Sequence, residues 1–131
     1  MSGICEGRVV VVTGAGRGLG RAHALEFARQ GAAVVVNDVG VAQDGSDPSA
    51  TPAQEVVDEI VAAGGKAAPS TDDIADWDGA ASLINTAVET FGDLDVLVNN
   101  AGILRDRVLI NMTDEEWDAV IAVHLKGTFA P

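Results

Sequence analysis

The chain has 131 residues, of which 20 are acidic and 8 are basic, and its formal net charge is −12. Its 47% hydrophobic content predicts one compact domain, whereas its acidity argues against a nucleic-acid partner and its short apolar runs argue against a membrane partner. The single cysteine, Cys5, excludes an internal disulfide, and no leader pattern precedes Ile4, so we expect a cytoplasmic location.

Four short apolar segments alternate with helical patterns along the chain. Each segment is apolar without strict alternation, as expected for strands that are buried on both faces. The predicted strands cover residues 8–12, 33–37, 66–70 and 95–99. The first predicted helix covers residues 21–30 and ends before Gly31.

Capping residues mark the starts of the other three predicted helices, because Thr and Asp side chains accept a backbone N–H of the first turn. These caps are Thr51, Asp76 and Thr113. The fourth helix is expected to turn its apolar side inward, a side formed by Trp117, Val120, Ile121 and Leu125. Residues 41–51, rich in Asp, Gly, Ser and Pro, are the nearest thing to a linker.

The alternation of strands and helices predicts an α/β fold with a parallel sheet and right-handed crossovers. For four strands the expected order is 3-2-1-4, which is half of a Rossmann-type, doubly wound sheet. In such a sheet a dinucleotide lies across the carboxyl ends of strands 1 and 4, where the strand order reverses.

A glycine-rich turn between the first strand and the first helix is the main candidate for binding phosphate. Its glycines are spaced Gly14-x-x-x-Gly18-x-Gly20, and Arg17 and Leu19 lie between them. Glycine lets the backbone approach a pyrophosphate, and the unpaired N–H groups and dipole of a helix N-terminus favour negative charge. The spacing differs from the G-x-G-x-x-G fingerprint, so an ordinary tight turn is the alternative.

An aspartate at the end of the second predicted strand can select the cofactor. Asp38 is placed where a carboxylate accepts hydrogen bonds from the adenosine ribose and repels a 2′-phosphate. Arg17, beside the glycine turn, can instead pair with a 2′-phosphate. We expect NAD rather than NADP, because Asp38 lies at the strand end that faces the ribose; a solvated turn aspartate is the alternative.

The ends of the third and fourth predicted strands carry further candidate contacts. Asp73 can offer a carboxylate to the adenine amino group and Ile74 a backbone N–H to the ring, although an acidic helix start is the alternative. Asn100, Ala101 and Gly102 let the backbone pass close to the cofactor's ribose, and an Asn side chain can bond neighbouring strands. A plain Asn/Gly turn is the alternative there.

Together these segments resemble the short-chain dehydrogenase/reductase family. The matching pieces are residues 13–20, Asp38, residues 73–74 and residues 99–102, in that order. Residues 99–107 with residues 37–40 are more narrowly similar to the 3-hydroxyacyl-CoA dehydrogenase part of peroxisomal multifunctional β-oxidation enzymes and their bacterial relatives.

The resemblance implies an oxidoreductase that transfers a hydride between NAD(P) and a secondary alcohol or ketone, such as a 3-hydroxyacyl-CoA. It also implies a catalytic Ser, Tyr and Lys, but the sequence has no tyrosine. We therefore expect these three residues beyond the end of the chain, with residues 1–131 as the N-terminal dinucleotide-binding portion of one domain, inactive alone. A non-catalytic nucleotide-binding or interaction module that ends at Pro131 is the alternative.

One catalytic candidate lies within the chain. The segment 123–129 is similar to a family segment in which an asparagine takes part in a proton relay, and His124 stands in place of that asparagine. Imidazole can carry protons near neutral pH, but a hydrogen-bonded helix histidine is an equal alternative. For the complete enzyme we expect a small-molecule substrate, a homo-oligomer (dimer or tetramer) and no metal ion.

Overall fold

The computed structural model describes residues 3–40 and 51–131, so almost all of the predicted linker lies outside the described residues. The described part contains four parallel strands in one sheet. They are β1 (Val9–Val12), β2 (Ala33–Asn37), β3 (Lys66–Ser70) and β4 (Val96–Val98). The strand order is β3-β2-β1-β4, which confirms the predicted half of a doubly wound sheet.

Helices connect the strands, as parallel pairing requires. They are α1 (Gly18–Arg29), α2 (Pro52–Ala62), α3 (Trp77–Phe91) and α4 (Asp114–Ile121). A single 3-10 turn (Leu109–Asn111) precedes α4, and a π-helical turn (Ala122–Lys126) and a last helical turn (Gly127–Phe129) continue it. The three predicted caps are confirmed, since Thr51, Asp76 and Thr113 each accept a backbone N–H of the following turn.

The core consists of two layers, one on each face of the sheet. On one face, α1 and α2 cover alternate residues of β1 and β2, and the buried side chains there include Val10, Val34, Val56 and Ile60. On the other face, α3 covers the intervening residues, which include Val11, Val35, Leu83 and Ala87. This double coverage explains why β1 and β2 are apolar without alternation.

The prediction that all four strands are buried on both faces is wrong for the sheet edges. Lys66 and Pro69 of β3 are exposed, and the three residues of β4 are half-buried. A proline is tolerated in β3 because, among the described strands, β3 pairs with β2 alone, so its other edge needs no backbone N–H.

The bounds of the first helix and of the last strand also differ from the prediction. The first helix begins at Gly18 rather than residue 21, so α1 starts inside the glycine turn itself. Strand β4 ends at Val98, because the backbone N–H of Asn100 turns back to the carbonyl oxygen of Val98 at 3.0 Å.

The prediction that the apolar side of the fourth helix is turned inward is wrong for three of its four residues. Trp117, Ile121 and Leu125 are exposed, whereas Val120 is half-buried. The reason is that α4 packs mainly against the π turn that continues it, and no described strand lies beneath it. Within the described residues, no helix has the length and apolarity needed to cross a bilayer.

Candidate functional site

A cleft of about 520 Å³ opens at the carboxyl ends of β1, β2 and β4. It lies where the strand order reverses around β1, which is the position where ligands bind in open α/β sheets. All predicted cofactor contacts except Gly18 line it: Gly14, Arg17, Leu19, Gly20, Asp38, Asp73, Ile74, Asn100, Ala101 and Gly102. Five lining residues were not predicted, namely Asn37, Val39, Gly40, Ile103 and Val123.

Three of the four glycines in the turn, Gly14, Gly18 and Gly20, have different surroundings. Gly14 has a φ of 62°, and a β-carbon there would lie 2.8 Å from the Cα of Ala101, so the turn packs directly on the chain after β4. A β-carbon at Gly20 would overlap the Gly14 carbonyl and the Asn100 amide. Gly18 has a φ of 58°, but a β-carbon there would have no other atom within 4 Å, so Gly18 faces open space in front of α1.

The first turn of α1 begins at Gly18, with Arg17 as its N-cap. The Arg17 side chain makes no capping hydrogen bond, and Leu19 is exposed. A helix leaves its first N–H groups without intrahelical partners, so this open end can receive an anion. Gly18 thus belongs with the cleft, although it lies just outside its lining.

A hydrogen-bonded cluster joins the end of β1 to the chain after β4. The buried Thr13 hydroxyl accepts the backbone N–H groups of Asn100 and Ala101, each at 3.1 Å. In return, the Asn100 amide nitrogen donates to the carbonyl oxygens of Thr13 (3.0 Å) and Gly14 (3.1 Å). We call Thr13, Gly14, Asn100 and Ala101 the β1–β4 clasp. It holds one wall of the cleft against the glycine turn.

The carboxylate of Asp38 is held by two backbone groups. Its Oδ2 accepts the N–H of Gly16 at 3.0 Å, and its Oδ1 accepts the N–H of Gly40 at 2.7 Å. The side chain is therefore fixed between the glycine turn and the end of β2. The Arg17 guanidinium lines the same cleft and is exposed, and it has no ion-pair partner among the described residues.

The chain that follows β3 lines the cleft with Asp73 and Ile74 and then leads into α3. Asp73 is exposed, and its Oδ1 accepts the N–H of Ala75 at 2.8 Å, an Asx turn that precedes Asp76, the N-cap of α3. Ile74 is 5% exposed, and its side chain belongs to the core beside Leu83. The cofactor role of both residues stays a prediction.

His124 lies on the π turn, next to the chain that follows β4. Its Nε2 is 3.1 Å from the nitrogen and 2.9 Å from the oxygen of Ile103, and the tautomer decides which of them it bonds. A β-carbon at Gly102 would lie 2.8 Å from the imidazole Cε1, so glycine gives the ring its room. π turns are frequent at functional sites, but the observed bonds fit the hydrogen-bonded alternative, and the catalytic role stays a prediction.

A second cavity, of about 410 Å³, is lined in part by His124. Its lining is mainly apolar and includes Leu104, Leu109, Met112, Trp117 and His124. Within the described ranges, no three His, Cys, Asp or Glu side chains converge to hold a metal ion.

Sequence reasoning missed Thr13 and Gly16 as parts of this site. The sequence marks Thr13 only as the first residue of the glycine turn, although a threonine at the end of an otherwise all-valine strand is a usable signal. Gly16 gives no such signal, because its neighbours in space come from β2 and α2.

Comparisons with known proteins agree with this geometry. The family model for short chain dehydrogenases matches residues 8–131. Over 128 residues the chain is 58% identical to hydroxyacyl-CoA dehydrogenase ChsB1 of Mycobacterium tuberculosis, covering 95% of this chain and 38% of that protein. Over 124 residues it is 52% identical to peroxisomal multifunctional enzyme type 2 of Drosophila melanogaster, covering 95% of this chain and 20% of that protein.

A crystal structure of a short chain dehydrogenase from Mycobacterium avium matches the fold with a TM-score of 0.92 and 66% sequence identity. That match covers 98% of this chain and 44% of the other. The chain thus spans less than half the length of these three relatives. Because the family model covers nearly all of its residues, the chain belongs to the short-chain dehydrogenase family.

Proposed function

We propose that this chain is the dinucleotide-binding portion of an NAD-dependent dehydrogenase that acts on a secondary alcohol or ketone. The observation that carries the proposal is the convergence of three elements on one cleft. These are the open N-terminus of α1, the fixed carboxylate of Asp38 and the β1–β4 clasp. Each lies at the carboxyl end of a strand beside the reversal of strand order.

The residues of the chain hold and orient the cofactor. Gly18 leaves space at the positive end of α1 for the pyrophosphate, and Asp38 can accept hydrogen bonds from the adenosine ribose. The clasp keeps Asn100 and Ala101 close to the glycine turn, so the backbone there can pass along the second ribose. When bound, the cofactor supplies the hydride chemistry.

The choice of NAD over NADP is supported by charge. Asp38 presents a carboxylate that repels a 2′-phosphate, and its position is set by two backbone hydrogen bonds. Arg17 lies on the same cleft and is the group that favours NADP. We infer that the fixed carboxylate dominates, because an exposed guanidinium on a long side chain loses entropy when it is ordered.

The substrate class follows from the relatives rather than from the site. ChsB1 is by name a hydroxyacyl-CoA dehydrogenase, and we propose a hydroxyacyl-CoA or a similar small molecule for the complete protein. An assembly of two or four copies is part of the same proposal. A cytoplasmic location stays a prediction. Some relatives are peroxisomal by name, so the relatives do not point to one compartment.

Binding of NAD and NADP to the 131-residue chain, measured by isothermal titration, tests the proposal. Asp38→Ala should weaken NAD binding by about 1.5–3 kcal/mol, the range for a hydrogen bond to a charged group, which corresponds to about 10-fold to about 150-fold. It should also improve NADP binding relative to NAD. Asp58→Ala, which removes the same charge from the exposed side of α2, is the matched control and should change neither.

Two results would contradict the proposal. Wild-type preference for NADP that is lost with Arg17→Ala would make Arg17 the selecting residue. A folded chain that binds neither dinucleotide would leave the interaction-module alternative.

A further inference from the structure

Gly16 is a buried residue of the glycine turn that no positive φ requires to be glycine. A β-carbon there would lie 2.6 Å from the Cβ of Pro52, 2.7 Å from the Oδ2 of Asp38 and 2.9 Å from its Cγ. Such distances are shorter than carbon–carbon or carbon–oxygen contacts allow. Gly16 is therefore glycine because two neighbours, one from α2 and one from the end of β2, occupy the space of a side chain.

The two neighbours differ in how easily they can move. Pro52 is buried, its ring fixes its φ, and it is the first residue of α2. The Asp38 carboxylate is the end of a half-buried side chain with two rotatable torsions. A side chain at residue 16 would therefore displace the carboxylate most easily, and the overlap with Pro52 would remain for the turn to relieve.

Displacement of the carboxylate would also release two backbone donors. The N–H groups of Gly16 and Gly40 are both bonded to Asp38, at 3.0 Å and 2.7 Å. While they are so bonded, neither of these two N–H groups is free to donate to a second anion, and the carboxylate beside them is negative. Once the carboxylate leaves, both N–H groups can donate to an anion instead.

We propose that Gly16 is a specificity-determining residue, because its missing side chain lets Asp38 occupy the position from which it rejects a 2′-phosphate. This inference rests on the proposed function and extends it from Asp38 to the backbone that holds Asp38. It concerns the ratio of NADP to NAD affinity, because the two dinucleotides differ only in the 2′-phosphate. A general loss of structure would weaken both ligands and leave that ratio unchanged.

The test is a double-mutant cycle in the full chain, with the dissociation constants of NAD and NADP measured by isothermal titration. Gly16→Ala should lower the ratio of the NADP constant to the NAD constant about tenfold or more, the change expected for losing a hydrogen bond to a charged group. In an Asp38→Ala background the same substitution should change the ratio less than about twofold, since the two sites act as one.

Gly18→Ala is the matched control, because Gly18 lies in the same turn but faces open space. It should weaken both dinucleotides equally and leave the ratio unchanged. An unaltered ratio in Gly16→Ala would overturn the inference, and so would an equal change with and without Asp38. Failure of wild type to bind either dinucleotide would overturn the proposed function itself, whereas binding with an unaltered ratio overturns only the role of Gly16.

A second measurement covers the case in which Gly16→Ala does not fold. Amide hydrogen exchange, resolved by NMR in wild type and Asp38→Ala, reports the Gly16 and Gly40 N–H groups without any change at residue 16. Exchange at both amides should accelerate in Asp38→Ala and stay unchanged in Asp58→Ala. Equal exchange at Gly16 in wild type and Asp38→Ala would overturn the inference.

Discussion

The β1–β4 clasp predicts a large response to a single isosteric substitution, Asn100→Asp. In wild type the amide nitrogen of Asn100 donates to the carbonyl oxygens of Thr13 and Gly14. Replacing the amide by a carboxylate removes both donors and places an ionised acceptor against two other acceptors. The side chain keeps its size, so no cavity contributes to the result.

The expected cost follows from the two hydrogen bonds that the substitution removes. At about 1 kcal/mol each they give about 2 kcal/mol, and repulsion at a half-buried position raises the total to about 2–4 kcal/mol. This is a large share of the roughly 5–15 kcal/mol that stabilises a typical domain. With a urea m-value of about 2 kcal/mol/M, the unfolding midpoint should fall by about 1–2 M.

The loss of stability should also depend on pH. Facing two carbonyl oxygens raises the pKa of the introduced carboxyl above its unfolded value of about 3.9. A group whose pKa is raised on folding destabilises the protein above the folded pKa, and this penalty disappears below the unfolded one. The gap between wild type and Asn100→Asp should therefore narrow as the pH falls below about 5.

The assay is urea unfolding followed by circular dichroism, with Asn99→Asp as the matched control. Asn99 is exposed, and its side chain makes no hydrogen bond to another described residue. The control should leave the unfolding free energy within about 0.5 kcal/mol of wild type, as is usual for surface substitutions. Equal midpoints for Asn100→Asp and Asn99→Asp at pH 7 would refute the stabilising role of the clasp.

Three further predictions concern the cofactor, turnover and acid stability. Gly18→Val should abolish dinucleotide binding in calorimetry. Gly64→Val is the control, because Gly64 also has a positive φ and open surroundings but does not line the cleft. The control should strain the backbone without affecting dinucleotide binding. The 131-residue chain should bind NAD yet show no nicotinamide reduction with any secondary alcohol, because it has no tyrosine to act as the acid/base. If the chain did turn over and His124→Ala abolished that turnover, His124 would be the acid/base. The Arg29 guanidinium donates hydrogen bonds to Glu26 and lowers the pKa of the Glu26 carboxyl to about 2. The pair therefore stabilises the fold fully above pH 4.5 and less as the pH falls toward 2. Glu26→Gln should slightly flatten the plot of unfolding free energy against pH between these values, and an unchanged plot would contradict a stabilising role of the pair.

The strand order and the place of the cleft could be predicted because they depend on patterns along the chain. Alternating strands and helices fix a parallel sheet, and the carboxyl ends of parallel strands lie at one edge. Gly14, Asp38, Asp73 and Asn100 each follow a predicted strand, so their meeting at one cleft followed from topology.

What could not be predicted depends on contacts between distant segments. The buried state of Gly16 results from Pro52, which belongs to another helix, and no local pattern encodes that approach. The exposure of Trp117 and Leu125 also depends on distant segments. An apolar helix face predicts which side of a helix can pack against another element, but it does not show whether such an element is present. The hydrogen bond of His124 joins the π turn to Ile103, 21 residues earlier in the chain, and no local pattern predicts that contact.

The clasp also affects the order in which the chain can assemble. The pairs β1–β2 and β2–β3 join strands that are consecutive in the sequence, but β4 pairs with β1, and the bonds between Asn100 and Thr13 span 87 residues. During vectorial synthesis, a nascent chain can form the first three strands long before the second wall of the cleft exists. Closing so long a loop is slow, and a ligand that binds only the closed form favours it by mass action. A dinucleotide that binds the closed cleft would therefore also favour the pairing of β4 with β1 in the newly made protein.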